Sequence, residues 1–543
     1  MNKVAHYLQE HLIGEVMTGS DARRYFSTDG SILSVTPAII VYPRNENDVR
    51  KAARFTWQLA ERGKVIPITA RGSGTDQSGA ALGEGIVMAF PAHMNKVLEL
   101  DGKTGDVVVE PGINFGKLQQ TLFTHNRFLP TYPSSFEYST VGGAVANNSA
   151  GERSVKYGST ASYVNGLRVV LANGEVIVTG RISKREVNKK LGLATFEGEI
   201  YRNLDALIDE NSQIIKNMKK INSAAGYAIG EVKNKNGSMD LTPLFVGSQG
   251  TLGIVTEIGL SSEPHNPNTT LVTANVNDYE LMASVVTELN KFSEKPCSIE
   301  MVNDELLNFV HTHNPNQLKG VVQQPYPKAL LLIEFDNPSD RIQKRLAKKT
   351  TKLLKSKGIE FRQETDQEAR ENLWRIRHSA TTLISHAENN SKALPIIEDG
   401  VVPIEKIGEF IKEVQGLLSK NNVIPAAWGN VGAGVLHVRP LLDLSQVGDR
   451  QKAFKLIDEY YSLAVSMGGS TSSGHNDGRL RAPYLPSVYG AEVYGLFEKI
   501  KQIFDPYGTL NPGVKIGVTM EDVKPITRQE FSLKHFYDHL PRS

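Results

Sequence analysis

Apolar residues fall into two rhythms along this chain, and the switches between them lay out its elements. The run AIIVYP at 38–43 has strand length, and END at 46–48 opens an amphipathic stretch to residue 60, so a strand is followed by a helix. Short apolar runs at 65–69, 85–90, 96–100 and 106–109 predict four more strands, and PGIN at 111–114 starts a helix through residue 122. Two apolar runs at 167–171 and 176–179 flank ANGE, where Asn-Gly signals a hairpin. LFV at 244–246 leads into a turn and a closing strand that ends at 260. The polar, proline-containing SEPHNPNT at 262–269 reads as a connector. Beyond it, strands at 270–276 and 329–335 alternate with helices at 279–292 and 341–357, the pattern of an antiparallel sheet with helices on one face. Further helices are expected at 367–387, 404–420 and 449–467, and the charged tail 520–543 is expected to wrap the surface.

This is an α+β chain, and its 543 residues exceed one ordinary hydrophobic core. The expected division is an N-terminal helical segment 1–35, a first domain 36–262, a second 263–498, and a segment 499–543 that returns to the first. The hydrophobic fraction of 40% and charged fraction of 22% belong to a soluble globular protein. A net charge of +2 without a basic block argues against nucleic acid as a partner. The lone cysteine, Cys297, excludes an intrachain disulfide and a cysteine-ligated iron–sulfur cluster within the chain. The N-terminus lacks the apolar core of a signal peptide, and no stretch reaches membrane-spanning length. The expectation is a cytoplasmic protein, with peripheral membrane contact left open.

TYPSSFEYSTVGGAVANNSAGERSVKYG at 131–158 carries the most information. It holds Gly142, Gly143, Gly151 and Gly158 among Ser, Thr and Asn, with almost nothing large and apolar after Tyr138. Such a run is not expected to build a core. It can bring main-chain N–H groups against an anion, because glycine lets the backbone approach closely. A surface this long suits a ligand with a diphosphate, such as a flavin dinucleotide. A second glycine-rich piece, ARGSGTDQSGA at 70–80, follows directly on a predicted strand.

In order, the pieces ARGSGTDQSGAAL, TYPSSFEYSTVGGAVANNSAG, VKYGST, PLFVGSQGTLGIVTE, LWRIRHSATT, LHVRPLLDL, GGSTSSGHNDGR and FDPYGTLNPG resemble the flavoproteins of the vanillyl-alcohol-oxidase superfamily. Within it, the resemblance is to the D-lactate, glycolate and D-2-hydroxyglutarate dehydrogenases, over roughly residues 36–517. LHVRPLLDL and NDGR are most similar to the subgroup whose flavoprotein half is fused to an iron–sulfur half. The resemblance implies a two-part FAD-binding domain of the PCMH type at 36–262 and an α+β cap domain with an antiparallel sheet at 263–498. It also implies FAD as cofactor, a hydroxy-acid substrate, and an electron acceptor or iron–sulfur partner other than nicotinamide.

Carried over residue by residue, it places the diphosphate on Arg71, Gly72, Ser73, Gly74 and Thr75, with Asp76, Gln77 and Ser78 continuing that loop. Tyr132, Pro133, Ser134 and Ser135 match the second diphosphate-and-ribityl loop. Gly142, Gly143, Asn147, Asn148 and Gly151 match the lining of the flavin ring, Gly253 and Ile254 meet it through backbone, and Asn511 returns to it from the C-terminal side. Members with covalent flavin carry His in the first loop or Cys in the second; neither occurs here, so the FAD is expected to be non-covalent. Arg377 matches the substrate-carboxylate arginine, with Thr381 one turn later and Lys392 as a second carboxylate partner. His475 matches the base that takes the hydroxyl proton.

The resemblance breaks at a metal site. Metal-dependent members use two histidines seven residues apart and a Glu before the catalytic His. Here those positions are Asn430, His437 and Gly474, so only His437 is retained and a divalent metal is not expected. Asp477, Asn476 or Glu398 would have to substitute if one bound. The reading of the sequence is therefore FAD-dependent oxidation of a D-2-hydroxy acid to the 2-oxo acid, as dehydrogenase or oxidase. Two alternatives stand beside it. One is a flavin-bearing electron-transfer or scaffold subunit that has lost catalysis. The other is an ether-lipid-synthase-like flavoenzyme, against which the missing run of histidines around His475 counts.

Overall fold

A computed structural model describes residues 2–218, 223–313, 315–318, 321–364, 366–385, 391–424 and 426–531. Three sheets organise the chain. In the first, Ile39–Tyr42, Ile86–Ala89 and Ile68–Arg71 run parallel, and Glu15–Met17 joins the edge antiparallel to Ile39–Tyr42. Ile39, Ile40, Val41 and the four residues of Ile86–Ala89 are all buried, which is why these strands read as unbroken apolar runs. Helix Glu46–Ala60 covers the sheet through Val49, Ala52 and Ala53, and Asn45 caps it by accepting from the Asp48 N–H.

The second sheet is antiparallel in the order Val97–Leu100, Val107–Val109, Ile254–Leu260, Val164–Val170, Val176–Val178. The predicted hairpin is its edge, with Val170 opposite Val176. Ile254–Leu260 alternates buried and half-buried positions and lies in the middle, so a strand late in this domain joins two earlier pieces.

The third sheet has seven strands, all antiparallel, in the order Glu360–Glu364, Thr270–Val276, Ala329–Phe335, Ser298–Asn303, Ala427–Gly429, Val435–Val438, Ile397–Val401. One face packs Val272, Ile299, Met301, Leu331 and Ile333 with helices Tyr279–Asn290, Asp340–Ser356, Ile407–Lys420 and Val447–Ser466. The opposite face packs Leu271, Val302, Leu330, Leu332 and Trp428 with helices Asp304–His313 and Gln367–Ser385. Helices on one face only, the sequence expectation, is thus corrected: the strands carry apolar residues on both sides, and each side is covered.

Other expectations shift. The strand expected at 65–69 spans Ile68–Arg71; Pro67 just before it has no N–H for a ladder. The glycine-rich segment does contribute to a core. It contains helix Val141–Asn147, capped by Thr140, whose hydroxyl accepts from Gly143 N–H, and Val141, Ala144 and Val145 are buried. A Cβ on Gly142 would lie 2.6 Å from Pro111 Cβ, so the glycine lets this helix approach the Pro111 turn. The return to the first domain precedes residue 499, because helix Ala491–Phe504 packs Val493, Leu496 and Phe497 into the second sheet's core. The tail does more than wrap the surface. Arg528 is buried and donates to the carbonyls of Asp29, Ser31 and Leu33. The predicted end of the helix at 387 and the tail beyond 531 lie outside the described residues.

Candidate functional site

Two adjoining cavities share one histidine. The first has about 1210 Å³ of empty space, partly open to solvent, and is bounded by the loop after Ile68–Arg71, the 133–149 segment and the 248–253 turn. Among the described residues, none of the backbone N–H groups from Gly72 to Gln77 has a protein acceptor. Amides left open along a glycine loop fit a diphosphate. The loop is held from behind. Asp76 accepts from the N–H groups of Ser78 and Ala80 and from Asn147 Nδ2, and Gln249 Nε2 donates to Asn147 Oδ1 at 2.9 Å. Arg71 does not reach into the cavity as a free cation: its guanidinium donates to the carbonyls of Phe26, Thr28 and Ala81.

Of the cofactor residues expected from the sequence, those at 71–77, 133–135, 142, 143, 147 and 253 line this cavity. Ser78 is buried behind it, donating to Asp76. Asn148 adopts φ +50° and accepts from Ala161 N–H, and Ile254 is in the first sheet's core. Tyr132 and Gly151 line the second cavity. Asn511 does not line the first cavity but ties its walls together. Its Nδ2 donates to Ala80 O and Gln249 O, and its Oδ1 accepts from Thr69. Asn511→Ala is expected to cost about 2 kcal/mol of stability, since three buried groups lose partners. Denaturant midpoints of the apoprotein check this.

The second cavity, with about 1870 Å³ of empty space partly open to solvent, lies against the cap sheet and shares Thr75, Gln77, Ser134, Ser135 and His475 with the first. Arg377 from helix Gln367–Ser385 lines it and donates through Nε to Glu300 Oε2 at 2.5 Å. Burial pushes the Glu300 carboxyl above its ordinary range, against the pull of Arg377. Alternation puts Glu300 on the same face of its strand as Val302, beneath that helix. Trp428 and His437 sit opposite each other on neighbouring strands. Glu398 accepts from Arg439 Nε at 2.5 Å through Oε1, and its Oε2 lies 2.7 Å from His437 Nδ1. Burial works against the Glu398 charge, but Arg439 and His437 outweigh it and hold the carboxyl below its usual range.

Asp399, at a bulge with φ +67°, organises the loop that carries His475. Its Oδ2 accepts from the Ser472 hydroxyl and from the N–H groups of Ser473, Gly474 and His475, the last at 2.7 Å. His475 thereby reaches both cavities, its Nδ1 3.8 Å from Glu398 Oε2, its ring stacked on His437 at 5.6 Å. Burial lowers its imidazole pKa, against the charges of Asp399 and Glu398. Lys392 lies in the two-residue strand Lys392–Ala393, paired with Leu441–Leu442, and is not among the described residues lining this cavity. The Thr381 side chain lies outside the described residues.

The metal positions do not fit a metal. Asn430 Nδ2 is turned to Gly151 O, Glu152 O and Ser154 Oγ. At Gly474 a Cβ would stand 2.6 Å from Ala150 N, so no longer side chain has room. Asn476 and Asp477 are engaged elsewhere, both with buried Lys515 at 2.6 Å. Among the described residues no group of three His, Cys, Asp or Glu is arranged to hold an ion.

Glu300, Asp399 and Arg439 escaped the sequence reading, and Glu398 entered it only as a substitute ligand. Glu300 and Glu398 had a weak signal: each is a carboxylate inside a buried strand, ECIS-like neighbours aside, in SIEMVN and IEDGV.

A mixed network joins the two domains beside the second cavity. Tyr132 OH donates to Glu152 Oε1, and Glu152 Oε2 lies 2.7 Å from His378 Nε2, next to Arg377 in sequence. Arg153 bridges Glu334 and Asp336 on the cap, and Lys156 also meets Asp336. Burial pushes Glu152 up, but His378 and Arg153 outweigh it and bring it from 4.5 to about 2. Burial pulls His378 down from 6.5, and the Glu152 charge more than offsets this. The His378 contribution is full below its unfolded value and is lost as pH rises through its raised folded value; the Glu152 contribution is lost as pH falls through about 2. The His378 side chain is half exposed, so screening limits the loss from pH 6 to 9 to about 0.5 kcal/mol. Comparing urea midpoints of the wild type and His378→Gln at both pH values checks it; the variant should show less of this fall.

Comparison with known proteins follows the same lines. The family described as "FAD linked oxidases, C-terminal domain" matches residues 265–514, and "FAD binding domain" matches residues 37–180. The chain is 30% identical over 528 residues to D-2-hydroxyglutarate dehydrogenase of Escherichia coli (strain K12), covering 94% of this chain and 51% of that protein. It thus spans about half the length of that relative. It is 28% identical over 481 residues to the glycolate oxidase subunit GlcD of Bacillus subtilis (strain 168), covering 88% of each. The solved structure of an alkyldihydroxyacetonephosphate synthase superposes with a TM-score of 0.64 at 15% identity, covering 94% of this chain and 84% of that one, a likeness of fold alone. Among the described residues no helix is long and apolar enough to cross a membrane.

Proposed function

We propose that this chain, which belongs to the FAD-linked oxidases and carries their vanillyl-alcohol-oxidase type of fold, oxidises a D-2-hydroxy acid to the 2-oxo acid. The observation that carries this is His475, shared by a cavity lined with open backbone amides and a cavity lined by Arg377. FAD, when bound, supplies the acceptor for the α-hydrogen and its two electrons. Residues 72–77 hold its diphosphate without a covalent bond. Arg377, already oriented by Glu300, takes the substrate carboxylate on its remaining donors. That contact turns the hydroxyl toward His475. Its imidazole, lowered by burial, is neutral near pH 7 and accepts the hydroxyl proton. Asp399 keeps the ring in place through the His475 backbone. The oxidation proceeds without a metal, and the electrons pass on to an acceptor other than nicotinamide.

The test is anaerobic mixing of the FAD-loaded protein with D-lactate, glycolate, malate and D-2-hydroxyglutarate while flavin absorbance is followed. At least one acid should bleach the flavin and yield the matching 2-oxo acid. No bleaching by any of them sinks this reading.

A further inference from the structure

We propose that Arg439 is a catalytic residue: its guanidinium hydrogen-bonds the substrate's hydroxyl oxygen and stabilises the negative charge that develops there as His475 takes the proton. This rests on the 2-hydroxy-acid reading above and adds to it the group that replaces a Lewis acid.

Arg439 follows strand Val435–Val438 and lines the second cavity although its side chain is 9% exposed. It is anchored edge-on, Nε to Glu398 Oε1 at 2.5 Å. Among the described residues its terminal amino groups have no protein acceptor, nor are they sealed off from solvent. A buried guanidinium held by one edge, with its other donors open, is arranged for a further acceptor.

Its position says which acceptor. The Glu398 carboxylate that holds Arg439 on one oxygen stands 3.8 Å from His475 Nδ1 on the other. Arg439 and His475 therefore flank the same end of the cavity, one carboxylate apart. Arg377 is fixed by a different carboxylate, Glu300, on a different strand. With the substrate carboxylate on Arg377 and its hydroxyl at His475, the group nearest Arg439 is the hydroxyl oxygen. Other candidates for that task are spent: Asn430 Nδ2 serves the backbone of the glycine segment, and Gly474 offers no side chain.

The step balances as follows. The O–H bond breaks and its proton goes to His475. The α C–H bond breaks with its electron pair, which passes with the hydrogen to FAD, and the C=O bond forms. The substrate is oxidised and the flavin reduced, and Arg439 changes neither protonation nor covalent state. Such a fixed donor acts on charge present mainly in the transition state, so it governs the limiting rate more than binding.

The test is anaerobic rapid mixing of FAD-loaded wild type, Arg439→Ala and Arg439→Lys with a monocarboxylic acid, D-lactate, and a dicarboxylic one, D-2-hydroxyglutarate. Arg439→Ala should lower the limiting rate of flavin reduction by about 10²–10³-fold on every acid the wild type oxidises, with KM changing little. Added guanidine should restore part of that rate to Arg439→Ala and none to wild type. Where the alanine variant fails to hold FAD, Arg439→Lys, which keeps the charge, should still lose rate. An unchanged limiting rate overturns the proposal. So does a loss confined to the dicarboxylic acid, which would make Arg439 a contact for a second carboxylate, or a loss expressed only in KM. If the wild type is bleached by neither acid nor by any other 2-hydroxy acid, the reading beneath the proposal fails first.

Discussion

His475→Gln is expected to keep its FAD and its fold but to lose about a thousandfold in the rate of flavin reduction by substrate, or about 4 kcal/mol of transition-state stabilisation. Glutamine preserves the side chain's size and polarity, and the loop does not depend on the ring. Its clamp is the Asp399 carboxylate, which accepts from the Ser472 hydroxyl and three successive backbone N–H groups. The ring makes only a 3.8 Å approach to Glu398 and a stack on His437, neither of which fixes the fold. What the substitution removes is a base that burial has set to be neutral near pH 7. Stopped-flow absorbance separates the rate loss from any change in FAD content. A variant that reduces its flavin as fast as wild type would remove His475 from the mechanism and leave the second cavity without a base.

Gly143→Val is expected to fold but to bind FAD at least a hundredfold more weakly. Gly143 lies in helix Val141–Asn147 and lines the first cavity. A Cβ there would meet only the Thr140 hydroxyl, at 3.2 Å, which can give way. The added methyl groups have open cavity before them, which is the volume a bound dinucleotide would fill. Gly142 would not serve, because its Cβ would lie 2.6 Å from Pro111 and the test would confuse misfolding with lost binding. Isothermal titration of the apoprotein with FAD gives the affinity, and circular dichroism with a thermal melt reports the fold. Wild-type affinity in this variant would show that the cofactor lies elsewhere.

The two halves of the site were unequally readable. Residues 72–77 and 133–143 announced themselves because a close backbone approach is a local demand that only glycine and small polar residues meet. The same demand is visible at Gly151, where a Cβ would stand 2.0 Å from Tyr132 O. Arg377 and His475 were readable because they sit in contiguous motifs. Asn511 was assigned to the cofactor, but its amide spends its bonds on Thr69, Ala80 and Gln249. Lys392 was assigned to the substrate, yet its strand pairs with Leu441–Leu442 away from the lining. Sequence proximity to Arg377 carried no information about distance across the fold.

By itself the sequence determined the α+β class, the run of strands and helices, and the glycine loops with their open amides, because these follow from periodicity and from backbone sterics over a few residues. Only the tertiary structure decided which charges meet. Glu300 reaches Arg377 across 77 residues, and Glu398 reaches Arg439 across 41, through strand and helix packing that no local pattern encodes. It also closed the Gly474 position against Ala150 and turned Asn430 to the glycine segment, contacts between domains that come into being only when the cap sheet lies against the first domain.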